Sequence, residues 1–119
     1  MTAKWIPCGN GFIQADVIRW KEGVWEKPSR RRNARAVNVG DRVVIAEVLR
    51  EDGEEWVHLL VRGCEMASEK PSRRKVALLP KSQEIRRRRT TIVRGKPDRL
   101  SWSDETARGA LISRFLGRR

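Results

Sequence analysis

The sequence predicts a mainly β protein: five to six strands forming a small barrel or strongly bent antiparallel sheet, followed by one α-helix over about residues 103–116. Three observations point there. Short β-branched and aromatic runs, punctuated by turn residues, recur through the first 95 residues. One of them, Arg42 to Arg50, carries apolar side chains on both faces, as a central strand covered from both sides does. Near the end the apolar spacing changes from two to the helical period.

Taken in order, Trp5-Ile6 opens a strand, and Gly9-Asn10-Gly11 turns the chain into a second run from Phe12 to Trp20. Asn38-Val39-Gly40-Asp41 leads into Arg42 to Arg50. Glu51-Asp52-Gly53-Glu54 reads as a hairpin turn into Trp56 to Cys64, because its glycine accepts a positive φ. Val76 to Leu79 and Glu84 to Arg94 supply the last strands. Thr90-Thr91-Ile92-Val93 argues for strand there, and the charged Arg86 to Arg89 run fits an exposed edge. In that strand Arg87 and Arg89 share one face, Arg86 and Arg88 the other. Ser103 can cap the closing helix, with Asp104 and Glu105 in its first turn and Gly117 beyond its end. Ala107, Ala110, Leu111, Ile112, Phe115 and Leu116 give that helix an apolar stripe, and Trp102 stands ready to staple it down.

Val39-Gly40-Asp41-Arg42-Val43 resembles the strand entries of SH3-like barrels. The resemblance spans five residues and implies a fold alone.

Length and composition set the frame. At 119 residues the chain is read as one domain, 1–119, with five Trp and 39% hydrophobic residues to build a core. No apolar run approaches the ~20 residues that span a bilayer, and no signal-like core opens the chain. The expected location is cytoplasmic, with association to a nucleoid possible, or nuclear in a eukaryote. Cys8 and Cys64 are too few for a disulfide framework.

Charge is the unusual quantity. Twenty-seven Lys and Arg oppose 15 Asp and Glu, giving +12. The charge is blocked rather than mixed. Residues 27–35 carry Lys27, Arg30, Arg31, Arg32 and Arg35 with no acid; residues 41–69 hold eight acids and three Arg; residues 70–99 hold twelve basic residues and two acids. Glu26-Lys-Pro-Ser-Arg-Arg31 recurs identically as Glu69-Lys-Pro-Ser-Arg-Arg74, each copy following a strand-like run. Two similar loops are therefore expected to present the same basic tip.

Such blocks fit a polyanion. Arginine supplies planar, multi-donor contacts to phosphate, whereas a surface built only for solubility interleaves both signs. The expected grip comprises Lys27, Arg30, Arg31, Arg32, Arg35, Lys70, Arg73, Arg74, Lys75, Arg86, Arg87, Arg88, Arg89, Arg94 and Lys96, with Trp25 available to stack on a base. Arg94-Gly95-Lys96-Pro97 also resembles the Arg-Gly-Arg-Pro core of AT-hooks, with Lys96 replacing the central Arg and Asp98 adding an acid. Those four residues imply an extended arm in the minor groove of A·T-rich DNA. Read on their own they form a Gly-Pro linker.

Chemistry finds less support. Cys8, Cys64 and His58 are the only soft ligands, and no Cys-x-x-Cys pair exists. His58 sits in strand-like sequence, and no phosphate-binding Gly-rich loop occurs. No catalytic motif, metal or cofactor is expected. The functional expectation is a nucleic-acid-binding protein with little sequence specificity, since backbone contacts position without reading bases. DNA or RNA, single or double strand, stays open, as does the oligomeric state. The alternatives are an interaction or inhibitor module docking on an acidic protein and, behind it, a metal-dependent nuclease using Asp16, Glu47 or Glu65.

Overall fold

The computed structural model describes residues 4–26, 33, 35–53, 55–69, 77–102, 105, 106 and 108, with 68 and 69 as backbone alone. Among them six strands make one antiparallel sheet: β1 (Trp5–Pro7), β2 (Val17–Glu26), β3 (Val37–Asp52), β4 (Trp56–Glu69), β5 (Glu84–Arg88) and β6 (Asp98–Leu100). Their spatial order is β1-β6-β2-β3-β4-β5, so β3 is central and β1 and β5 are edges. A short helix, α1 (Arg89–Arg94), follows β5 directly.

The sheet is open but strongly bent. Two strands separate β2 from β5, which is about 14 Å in a flat sheet. Yet Arg87 of β5 donates from Nε to Glu22 of β2 at 3.1 Å, and Lys21 N of β2 donates to Gly95 O, just past α1, at 3.2 Å. Irregularities in the β3–β4 register at Asp41/Arg42, Ile45/Ala46 and Val48/Arg50 supply the curl, because each extra residue bends and twists its strand. Helix α1 bridges the remaining gap between β5 and β2.

Alternation along the strands fills the concave side. Ile18 and Trp20 of β2, Val44, Ala46 and Val48 of β3, Val57, Leu59 and Val61 of β4, and Ile85 of β5 are buried together with Phe12 and with Ile92 of α1. Each fully buried aliphatic side chain contributes on the order of 1.5–3 kcal/mol. Val24 and Val39 form a second, smaller cluster.

Three expectations change. Glu84 to Arg94 is not one strand: it is strand to Arg88 and helix from Arg89. Ile92 lies wholly buried in the main core, and that packing overrides the β propensity of Thr90 to Val93. The run from Phe12 to Trp20 starts as a loop, because Ala15 adopts φ 75° and strand begins only at Val17. Residues 77–80 form no strand, while Val76 lies outside the described residues. Of the closing helix over 103–116, the described residues Glu105, Thr106 and Arg108 are helical and the rest lie outside the described set. Among the described residues no helix is long and apolar enough to cross a membrane.

Gly95 fixes α1 against β2. A Cβ there would stand 2.3 Å from Lys21 O and 3.0 Å from Lys21 N, both backbone atoms that no side-chain rotation can move aside. Gly95→Ala is therefore expected to destabilise by about 1–3 kcal/mol. A denaturant titration should show a lower midpoint at unchanged slope.

Candidate functional site

The register brings the first residues of the two repeats near one another. β2 ends at Glu26, paired with Val37, and β4 ends at Glu69, paired with Gly40. Both copies of Glu-Lys-Pro-Ser-Arg-Arg therefore start beside the first four residues of β3, on its two opposite flanks. The chain that returns after the second copy is held near there as well, because Arg42 Nη1 donates to Ala77 O at 2.6 Å. Lys27, Arg30, Arg31, Arg32, Lys70, Arg73, Arg74 and Lys75 themselves lie outside the described residues. Arg35, at the end of the first loop, is exposed. Segments 26–35 and 69–75 together contain nine basic residues and two acids.

Arg42 also organises the neighbouring floor. Its Nη2 and Nε reach Glu22 Oε2 at 2.7 and 3.0 Å, and Arg87 donates to the same carboxylate. Trp20 Nε1 adds a further bond to Glu22 at 3.1 Å. Burial opposes the charged form of Glu22, but the hydrogen bonds from Arg87 and Arg42 outweigh it and hold the carboxyl below its ordinary range. Two guanidinium groups on one carboxylate leave this floor net positive.

Above it, between β2 and α1, runs a groove of about 480 Å3 lined by Lys21, Glu22, Gly23, Trp25, Arg87, Thr91, Arg94 and Gly95. Trp25 is 64% exposed, the most exposed large apolar side chain among the described residues. Its indole Nε1 lies against Gly23, where a Cβ would be only 3.1 Å away and 2.8 Å from Asn38 Nδ2. Glycine inside a strand marks close approach of another group, and here it lets the indole lie along β2. Arg94 is exposed and makes no ion pair among the described residues; Lys21 pairs loosely with Asp41 at 3.7 Å. Trp25, Arg87 and Arg94 thus meet, as the sequence alone did not indicate, while Lys21, Gly23, Arg42 and Thr91 join them unforeseen. Gly23 was the one available signal.

The Arg86 to Arg89 run divides. Arg86 and Arg88 lie over the Trp56 ring, 4.3 and 5.1 Å from its centroid, and Arg88 also pairs with Glu55 at 3.1 Å. Arg87 is turned inward to Glu22. Arg89 donates to Asn10, to Phe12 O and to Glu51. The acids of the β3–β4 turn thus neutralise Arg88 and Arg89, at the opposite end of β3 from the repeats. A second cleft of about 500 Å3 between Asn10, Glu55 and α1 is lined by that committed Arg89.

Arg94 to Pro97 is not a free arm. Gly95 is docked on β2, Pro97 is fully buried, and Pro97 O accepts from Cys8 N at 3.1 Å and from its Sγ at 3.3 Å. The segment is a packed connection from α1 to β6 that leaves Arg94 and Lys96 exposed.

The carboxylates do not assemble a metal centre. Asp16 is wholly buried against Arg108 and Trp102, Glu47 pairs with Arg62, and no group of three or more candidate ligands occurs among the described residues. Burial, reinforced by the charge of Asp16, pushes the Cys8 thiol up to about 11, so it is protonated and inert at neutral pH. His58 faces Asp52 at 3.7 Å and Arg50 at 3.4 Å. No family model matches the chain, and no curated protein or solved structure is detectably similar to it.

Proposed function

We propose that this chain binds nucleic acid, gripping the phosphate backbone with the two Glu-Lys-Pro-Ser-Arg-Arg repeats and with Arg35, Arg94 and Lys96. The observation that supports this reading is the common origin of the repeats: Glu26 and Glu69 pair with Val37 and Gly40, three residues apart on one strand. Loops this short carry their cations no more than about 20 Å from those anchors. Arg87 and Arg89, held by internal carboxylates, act as scaffold in this reading. Arg86 and Arg88 lie on the outer face near the acidic turn and contribute less.

Backbone recognition has a characteristic salt response. With six to ten phosphate contacts, affinity should fall on the order of 10³- to 10⁵-fold between 50 and 200 mM salt. Labelled duplex DNA, single-stranded DNA and RNA titrated across that range provide the test. Failure to retain any polynucleotide at low salt would remove the reading and leave an acidic protein partner in its place.

A further inference from the structure

We infer that the groove between β2 and α1 is a stacking site for one unpaired nucleobase, which makes the protein selective for single-stranded nucleic acid over duplex. The inference rests on the proposed function and names the substrate form that its surface takes. Four features of the groove carry it. Trp25 presents an open indole, 64% exposed, at the mouth. Gly23 beneath it has no side chain to prop the ring away from the strand. Arg94 and Lys21 stand on either side of the groove, Lys21 in a loose pair with Asp41 at 3.7 Å, and the one acid among its described lining residues, Glu22, is already engaged by Arg42 and Arg87. The volume, about 480 Å3, falls within the ~300–1,000 Å3 of clefts that hold small ligands.

The chemistry of the occupant follows. An aromatic face flanked by cations suits a flat, polarisable ring attached to an anion, because base stacking and phosphate contact act together in binders of single strands. A base inside a duplex is stacked on its neighbours and offers only its edges. It has no face for Trp25 unless it is flipped out, which costs a few kcal/mol. The first repeat begins at Glu26, immediately after Trp25. The sequence therefore places the first repeat's cations next along the chain after the stacking residue.

The test uses the full chain with three probes: an oligothymidylate, an oligouridylate and a duplex of the same length. Trp25→Leu should weaken binding to the single-stranded probes about 5- to 150-fold, the range for losing one base stack, and leave duplex affinity within about twofold. Trp25→Phe keeps an aromatic face and should retain most of the affinity. Wild-type tryptophan fluorescence should be quenched by oligothymidylate, and the quenching should shrink in Trp25→Phe. Stacking uses the base and not the sugar, so a loss on either single strand upholds the site, and the larger loss identifies the preferred sugar. Arg94→Ala should lower the salt slope by about one contact. Equal losses on single strand and duplex, or no loss on either, overturn the inference while leaving the proposed function intact. Absence of binding to every probe overturns both. Trp25 belongs to neither core cluster, so the melting temperatures of its variants should stay close to wild type and keep the comparison clean.

Discussion

Asp16→Ala is expected to destabilise the protein by about 3–5 kcal/mol, the cost of breaking a buried ion pair from one side. The carboxylate is wholly buried and accepts four bonds. Oδ1 takes Trp102 Nε1 at 2.7 Å and Arg108 Nε at 2.9 Å; Oδ2 takes Arg108 Nη2 at 2.7 Å and Ile13 N at 2.9 Å. Arg108 also reaches Gly11 O at 2.7 Å. This carboxylate is therefore the clasp that fastens the C-terminal segment to the loop ahead of β2. Hydrogen bonding to Asp16 raises the pKa of Arg108 against its burial, so the guanidinium keeps its charge beside the carboxylate.

Thermal denaturation should show the loss as a fall in Tm on the order of 10–20 °C, together with a red-shifted Trp102 emission as the indole loses its buried partner. Arg108→Ala should cost a similar amount, because it strands the Asp16 charge. The double variant should cost far less than the two single ones added together, since both remove the same interaction. A change below about 1 kcal/mol for Asp16→Ala would show that the clasp does not hold the segment.

Reversing charge in the repeats is expected to have the largest effect on binding. Arg30/Arg31→Glu and Arg73/Arg74→Glu should each weaken nucleic-acid affinity on the order of tenfold or more at moderate salt, and each should flatten the salt slope by about two contacts. Because the loops leave opposite flanks of β3, the two losses should be nearly equal and should accumulate in the fourfold variant. Binding isotherms at several salt concentrations check this, with far-UV circular dichroism to confirm that the sheet is retained. If neither pair changes affinity, the repeats have no part in binding.

Much of the sheet was legible in the sequence, and the reasons are local. The hairpin after β3 was readable because Gly53 must take φ 66°, and β3 because Val43 to Leu49 is a run of β-branched and aliphatic residues broken only by Glu47. Trp102 as a staple is seen in its bond to Asp16, and Trp25 as an exposed ring in its surroundings. What stayed hidden depends on distance. Asp16 looks like any carboxylate until Arg108, 92 residues later, is folded onto it. The helix at Arg89 was concealed because its cause is a socket for Ile92 and a landing place for Gly95 on β2, neither of which leaves a local trace. The arginine run announced its sign but not its partners. Glu22 of β2 and the Glu51 and Glu55 pair of the β3–β4 turn come from two distant parts of the chain to meet it.

The placement of the repeats also acts before any contact is made. Nine cations tethered to one end of β3, with paired charges at the other, give the protein a permanent electric moment along that strand, which runs up to about 50 Å at ~3.3 Å per residue. In the field of a polyanion such a body turns as it diffuses, and it arrives with the repeats and Trp25 leading. Added salt should therefore slow association more than it hastens release, because its first action is to blur the torque that aligns the approach.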